Sequence, residues 1–456
     1  MASSTRRTLI WGLWLLLSAG IGLALGYRLL GGAEQTVFMP GEMSYAHHQF
    51  GVDCQACHGE AFAGGEALQA ACLDCHGEQM RARDDSHPRS KFTDPRNAAL
   101  LTRIEARECV TCHLEHRPEI TGPMQVTLPI DFCANCHQDI ATERPSHEGL
   151  GFASCADAGC HNYHDNRALY EDFLLAHLQE SPVLADPRLP VATAIAPHGP
   201  ALTAMAADHP PTHALSAEQF AAWAGSGHAA GGVNCRDCHG GEADLEWVAE
   251  PAPAACESCH GAQVAGWRLG RHGMRAHEEL SQPLPPLAAA DARLPMAPDA
   301  PGTPGCTSCH RAHDFDLVHA RVEACLGCHA DPHSRSYADS PHAALWQAER
   351  EGRAPPGSGV TCASCHLPVV ERAGAEGEAR WLAEHNQSAH LRPNEQFIRP
   401  VCLNCHGMGF TLDALADEAL IERNFTGRPA GHVDSLDMVA ARLRDAPTPA
   451  GGAGTP

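Results

Sequence analysis

The cysteines decide what this chain can become. There are 22 of them in 456 residues, and each belongs to a pair followed at once by histidine. Ten pairs read C-x-x-C-H. They are Cys54, Cys57 and His58; Cys72, Cys75 and His76; Cys109, Cys112 and His113; Cys133, Cys136 and His137; Cys235, Cys238 and His239; Cys256, Cys259 and His260; Cys306, Cys309 and His310; Cys325, Cys328 and His329; Cys362, Cys365 and His366; and Cys402, Cys405 and His406. One more pair is stretched, Cys155-Ala-Asp-Ala-Gly-Cys160-His161. No cysteine is left over for a disulfide or a free thiol.

C-x-x-C-H attaches a c-type haem. Two thiols must reach the two vinyl groups on one edge of the porphyrin, and the next residue swings a histidine under the iron. The longer spacing of the stretched motif still permits this if its extra residues bulge out. Two other readings compete. Paired C-x-x-C units spaced like Cys54/Cys57 and Cys72/Cys75 can hold zinc, and an exported chain can use cysteines for disulfides. Neither explains a histidine after every second cysteine. Histidine is 31 of 456 residues, so eleven chance placements have a probability on the order of 10⁻¹³. The sequence therefore predicts eleven covalently attached haem c groups, with these eleven histidines as proximal iron ligands.

Composition points the same way. Aromatic residues are 5%, while Gly and Pro number 42 and 34. Such a chain struggles to build a core from side chains. The haems supply the missing apolar surface. The expected fold class is thus a multihaem cytochrome c: mostly irregular coil with short α-helices wrapped around a haem core, little or no β, and one N-terminal transmembrane helix. Without haem, no fold is expected. The formal net charge is −23, and haem propionates deepen it. An acidic surface disfavours nucleic acid and suits a redox acceptor with a basic docking patch.

Residues 8–27 carry no charge and are long enough to span a bilayer. Arg6 and Arg7 precede them and hold the N-terminus in the cytoplasm. A cleaved signal peptide is the alternative, but its apolar core is shorter, about 7–15 residues. The expected location is a bacterial inner membrane, single-pass, with the bulk of the chain in the periplasm.

The expected organisation follows the motifs. Residues 1–7 form a cytoplasmic stub, 8–28 a transmembrane signal-anchor, and 29–42 a tether. A pentahaem module spans 43–165, and a helix plus Pro/Ala-rich linker spans 166–213. A hexahaem module spans 214–434, and 435–456 is a C-terminal tail, partly disordered. In the linker region, Asn166–Glu180 places Tyr170, Phe173, Leu174, His177 and Leu178 on one helical face. Ser216-Ala-Glu-Gln219 reads as a capping box.

The modules look duplicated. Gly-Val-Asp/Asn precedes Cys54 and Cys235, with His47 and His228 upstream. Ala-Ala precedes Cys72 and Cys256, and C-H-x-x-H recurs with His116 and His313.

Candidate distal ligands come from the other twenty histidines. A serine shortly before His47, His87, His147, His228, His342 and His390 marks one set. C-H-x-x-H marks His116, His164 and His313. In that short spacing the second imidazole cannot reach its own iron, so a neighbouring haem is its target. His272 joins these candidates, with His277, His319, His333 and His385 competing for the remaining places. His48, His177, His198, His209, His213 and His432 read as surface or hydrogen-bonded histidines.

On these residues the chain resembles the class III cytochromes c, low-potential periplasmic carriers. The resemblance rests on His47 upstream of Cys54, the stretched Cys155…Cys160-His161 motif, and many haems on little polypeptide. It covers 43–165 best and 228–410 more loosely. It implies bis-histidine ligation, low potentials and electron transfer. The anchor, the haem count and the duplicated plan depart from it. Cys405-His406-Gly-Met408 also resembles a C-x-x-C-H-x-M element of quinol-oxidising multihaem cytochromes, in which the methionine ligates.

The functional expectation is a membrane-anchored electron conduit, not an enzyme. It would run from an inner-membrane, quinol-oxidising or other donor to a periplasmic acceptor. Two alternatives stand beside it. One is a terminal reductase of a nitrogen or sulfur oxyanion with one open-site haem. The other is an electron-carrying subunit of a larger respiratory complex. Every motif ends in His, so no lysine-ligated C-x-x-C-K haem is present.

Overall fold

The computed structural model describes residues 2–30, 35–51, 53–59, 63–83, 87–122, 125–144, 147–152, 155, 163–165, 171–213, 215–240, 246–280, 284–302, 304–373, 378–391, 394–433, 436–437 and 440–441. The stretched motif beyond Cys155, the segment 166–170 and most of 435–456 lie outside the described residues.

The chain opens with a helix of 29 residues, Ala2–Leu30. At 1.5 Å rise per residue it is about 43 Å long, enough to cross a hydrocarbon core of about 30 Å. Its side chains touch almost nothing else: the apolar stretch Thr5–Leu29 is 0% buried. An apolar helix that packs on no part of its own protein is suited to lipid, as an anchor or as a signal sequence.

Beyond it the described residues are short helices and coil. The longest helices there are Gly65–Ala82 and Ala254–Leu269, and each carries one motif in its interior. The segment 171–177 is helical, and Ser216 caps Ala217–Ala224 with Gln219 completing the reciprocal pair. Sheet is confined to one antiparallel pair, Val369–Ala373 with Ala379–Ala383, where Glu371 faces Trp381.

Side-chain cores are small. One gathers Leu174, Ile398, Met408, Leu412 and Leu436, and another Val322, Tyr337 and Trp346. Among the described residues, only Ile398, Met408 and Leu420 are large side chains buried to within 2%. The centre is instead a continuous cavity of about 3560 Å³. A site for one drug-sized ligand is roughly 300–1,000 Å³, so this volume suits several large groups.

The Pro-rich segment after the Glu171–His177 helix is laid along the second module. Leu184 N–H donates to Cys405 O, Arg188 N–H to Asn404 O, Leu189 N–H to Gly357 O and Thr193 N–H to Trp381 O. His198 and Leu202 continue onto Gly231 O and Ala229 O. Proline cannot join a helix interior, but an extended strand of it can spend its remaining N–H groups on a neighbour.

The two modules also touch directly. Arg271 lies over the Tyr45 ring, 4.1 Å from its centroid. Buried Arg275 donates to Gln49 O, Arg293 to Met43 O, and His48 Nε2 to Asp291 O. Elsewhere Arg83 bonds both Asp165 and Gln396.

Candidate functional site

Most described motifs sit on a single helical turn, such as Cys235–His239, Cys306–His310 and Cys362–His366. Residues three apart on a helix share a face, so the turn aims both thiols one way and sets histidine beside them. Local capping fixes the turn. Asn234 and Asp237 form a reciprocal box before Cys235, and Thr361 and Ser364 do so before Cys362. The first, second, third, seventh, eighth, ninth and tenth motifs line the shared cavity.

Across from the proximal rings stand other histidines. The pairs are His58–His116, His76–His47, His113–His164, His137–His87, His239–His313, His260–His228, His310–His385, His329–His272, His366–His333 and His406–His342. Their ring centroids are 5.9–6.5 Å apart. With a metal–imidazole bond of about 2.0–2.1 Å and about 1.1 Å from nitrogen to ring centre, two rings on opposite sides of one metal stand roughly 6.3 Å apart. Some neighbouring rings are closer, His87 and Tyr163 at 4.2 Å and His239 and Trp247 at 4.6 Å, but others stand equally far apart, such as His47 and Phe50 at 6.0 Å and His366 and Phe397 at 6.4 Å. Distance alone would not decide, because aromatic pairs range up to about 7 Å. The composition of the pairs does. Each of the ten joins one C-x-x-C-H histidine to one histidine outside such a motif.

The outer nitrogens fix the tautomer. Nδ1 of His113 donates to Gln125 O (2.9 Å), of His239 to Val248 O (2.7 Å) and of His406 to Pro182 O (2.8 Å). On the other side of the pairs, Nδ1 of His87 donates to Tyr163 O, of His116 to Gly41 O, of His333 to Ile421 O and of His385 to Ala383 O. A carbonyl oxygen only accepts, so Nδ1 carries a proton, and in the neutral ring that leaves the lone pair on Nε2, the nitrogen a metal would take. Burial reinforces this. It pushes His272, His342 and His366 down to about 4, aided by the neighbouring histidines. They are neutral at physiological pH.

His47 differs. Its Nδ1 bonds the Glu115 carboxylate, which also accepts from Ser44 N (3.0 Å) and Ser44 Oγ (2.8 Å). Burial pushes Glu115 up, but the hydrogen bonds and charge of His47 and the Ser44 bonds outweigh it and hold the carboxyl at about 2.

Backbone geometry places the C-H-x-x-H residues. His116 and His313 both have left-handed φ, 63° and 75°. Non-glycine residues seldom sit there, and such strain concentrates at functional positions. Each of these rings lies across from a proximal histidine two motifs earlier, and so does His164. Close approach places His385: a side chain at Gly266 would strike Glu384 Oε1 at 2.7 Å and the backbone of His385 and Asn386.

The two modules repeat this wiring. First cysteines of successive motifs touch, Cys72 with Cys109, Cys133 with Cys155, Cys256 with Cys306 and Cys325 with Cys362. These contacts fall at the same places in both halves. So do the partners: His47 and His228 serve the second motif of each module, His87 and His272 the fourth.

Some candidates stand apart. His390 faces no C-x-x-C-H histidine among the described residues, and His161 lies outside them. His390 is largely buried, its Nε2 without a partner. His333 and His385, competitors in the sequence, occupy paired positions, whereas His277 and His319 do not. His177 pairs with Glu180 (2.7 Å) and His432 with Asp413 (3.0 Å).

Met408 needs a correction. Its side chain is fully buried among Leu174, Ile398 and Leu412, and His342 takes the place opposite His406. The methionine is core. Met408→Leu is expected to leave the absorption spectrum unchanged, while Met408→Ala costs about 2–5 kcal/mol, read as a lower denaturant midpoint.

Two family models match parts of the chain. A family model for cytochrome c3 matches residues 46–138, and one for cytochrome c554 and c-prime matches 255–320. Both support a multihaem c-type cytochrome, and cytochrome c domains imply covalent haem c and electron transfer. No curated protein and no solved structure matches the chain. The residues present fit the group: paired thiols on one face, imidazoles across from each other, and an apolar volume between them.

Proposed function

We propose that this chain binds eleven haem c groups, each between two histidines, and passes electrons from an inner-membrane, quinol-linked donor to a periplasmic acceptor. The mixed composition of the ten ring pairs carries the reading. Covalent haem c supplies a one-electron iron couple. The chain's residues do the rest. The thiols would tether each haem, the two imidazoles of each pair would hold its iron, and the apolar cavity walls would surround it. With both faces closed no substrate reaches an iron, which favours a conduit over a reductase. For the fifth motif, the duplicated plan supports His147. The tenth motif's partner, His333, follows the ninth motif, and His147 follows the fourth. The acidic surface supports an acceptor with a basic patch, and the exposed apolar helix Thr5–Leu29 supports membrane attachment.

The test is electron paramagnetic resonance of the air-oxidised protein, with and without nitrite, hydroxylamine or sulfite. All-low-spin iron, unmoved by these anions, is the expected result. A high-spin fraction near one haem in eleven that shifts with an anion would replace the conduit by a reductase. The pairings make a sharper expectation. His333→Ala and His385→Ala should each turn one haem high-spin, while His277→Ala and His319→Ala turn none.

A further inference from the structure

The paired histidines differ in what holds their outer nitrogen. Where an Nδ1 is bonded among the described residues, its partner is a main-chain carbonyl or, at His76, the side-chain amide oxygen of Gln79. His47 instead meets a carboxylate, Glu115, three-quarters of the way through the third motif's Cys112-His113-Leu114-Glu115-His116 run. Glu115 is gripped from its other side by the Ser44 main chain and hydroxyl. It is therefore a fixed charge, one residue from a ring of the first pair and bonded to a ring of the second.

We propose that Glu115 is a positioning residue that makes the haem between His47 and His76 the most reducing in the chain. It acts through His47. A full negative charge drawing on the Nδ1 proton leaves more electron density on Nε2 than a neutral carbonyl does, and a more basic axial ligand favours oxidised iron. The same charge, partly buried, opposes the arrival of an electron beside it. Gln79, opposite, offers only a neutral amide. The Ser44 contacts keep the carboxylate aimed and weaken its charge only in part.

This inference rests on the reading of His47 as an axial ligand. The experiment is a spectroscopic redox titration of the holoprotein, comparing wild type with Glu115→Gln and Ser44→Ala. Glu115→Gln keeps shape and one hydrogen bond but removes the charge. Expected is a rise in potential of the lowest-potential component alone, seen as a fall of tenfold or more in its oxidised-to-reduced ratio at a given poise, or about 59 mV for one electron. Ser44→Ala should move the same component less. The count of low-spin haems should not change in either variant. Superimposable titrations would overturn the proposal, as would a shift in a higher component or an equal shift in all. His47→Ala separates the two readings. If it leaves every haem low-spin, the axial assignment fails. If it opens one haem while Glu115→Gln moves nothing, the tuning role alone fails.

Discussion

Made without its haems, this chain is expected not to fold. Helical circular dichroism should fall to that of the apolar N-terminal helix, and residues 43–434 should be cut readily by proteases. The two side-chain clusters gather five and three buried residues, and they lie around the cavity instead of filling it. A domain's net stability is only about 5–15 kcal/mol, left over from opposing terms of order 100 kcal/mol. A chain that loses most of its apolar interior cannot meet the entropy of ordering. Cooperative melting of a haem-free chain with native helix content would overturn the haem-core reading.

The second large effect concerns one motif. Cys362 and Cys365 are part-buried in the cavity wall, and burial pushes the Cys365 thiol up to about 12. Cys362→Ser together with Cys365→Ser should remove one haem by mass. It should also destabilise the second module well beyond the about 3–5 kcal/mol typical of a buried aromatic truncation. Cys256→Ser with Cys259→Ser should remove one haem at lower cost, because Cys259 is exposed. Equal melting temperatures for the two double variants would show that position in the cavity does not matter.

How much of this could be read beforehand depends on the range of the interaction. The motifs are local, and their histidines follow from spacing alone. His116, His164 and His313 are nearly local, since a ring three residues past its own motif must turn elsewhere. His333 and His385 are not. What separates His333 from His319 is the carbonyl of Ile421, 88 residues away, and Asn424 beside it. What places His385 is the bare face of the helix Ala254–Leu269 at Gly266. No pattern near either histidine encodes these. The small sheet was missed for a similar reason: two five-residue strands carry too little alternation to stand out. The proline-rich stretch reads as a linker because its partners lie far downstream, as in the bond from His406 to Pro182 O, 224 residues apart.

That strap has a bearing on how a finished molecule is told from an unfinished one. Pro182 and Ser181 meet His406 and Gly407, and Leu184 meets Cys405. The Cys402 motif is thus clasped by a segment made more than two hundred residues earlier. A copy released early, before Cys402, has no partner for that segment. It would trail an extended, proline-broken loop with free carbonyls, open to proteases. Truncations ending just before Cys402 should vanish faster than those ending just after residue 433, and equal lifetimes would deny the strap this role. The clasp makes completeness of the chain something a protease can sense.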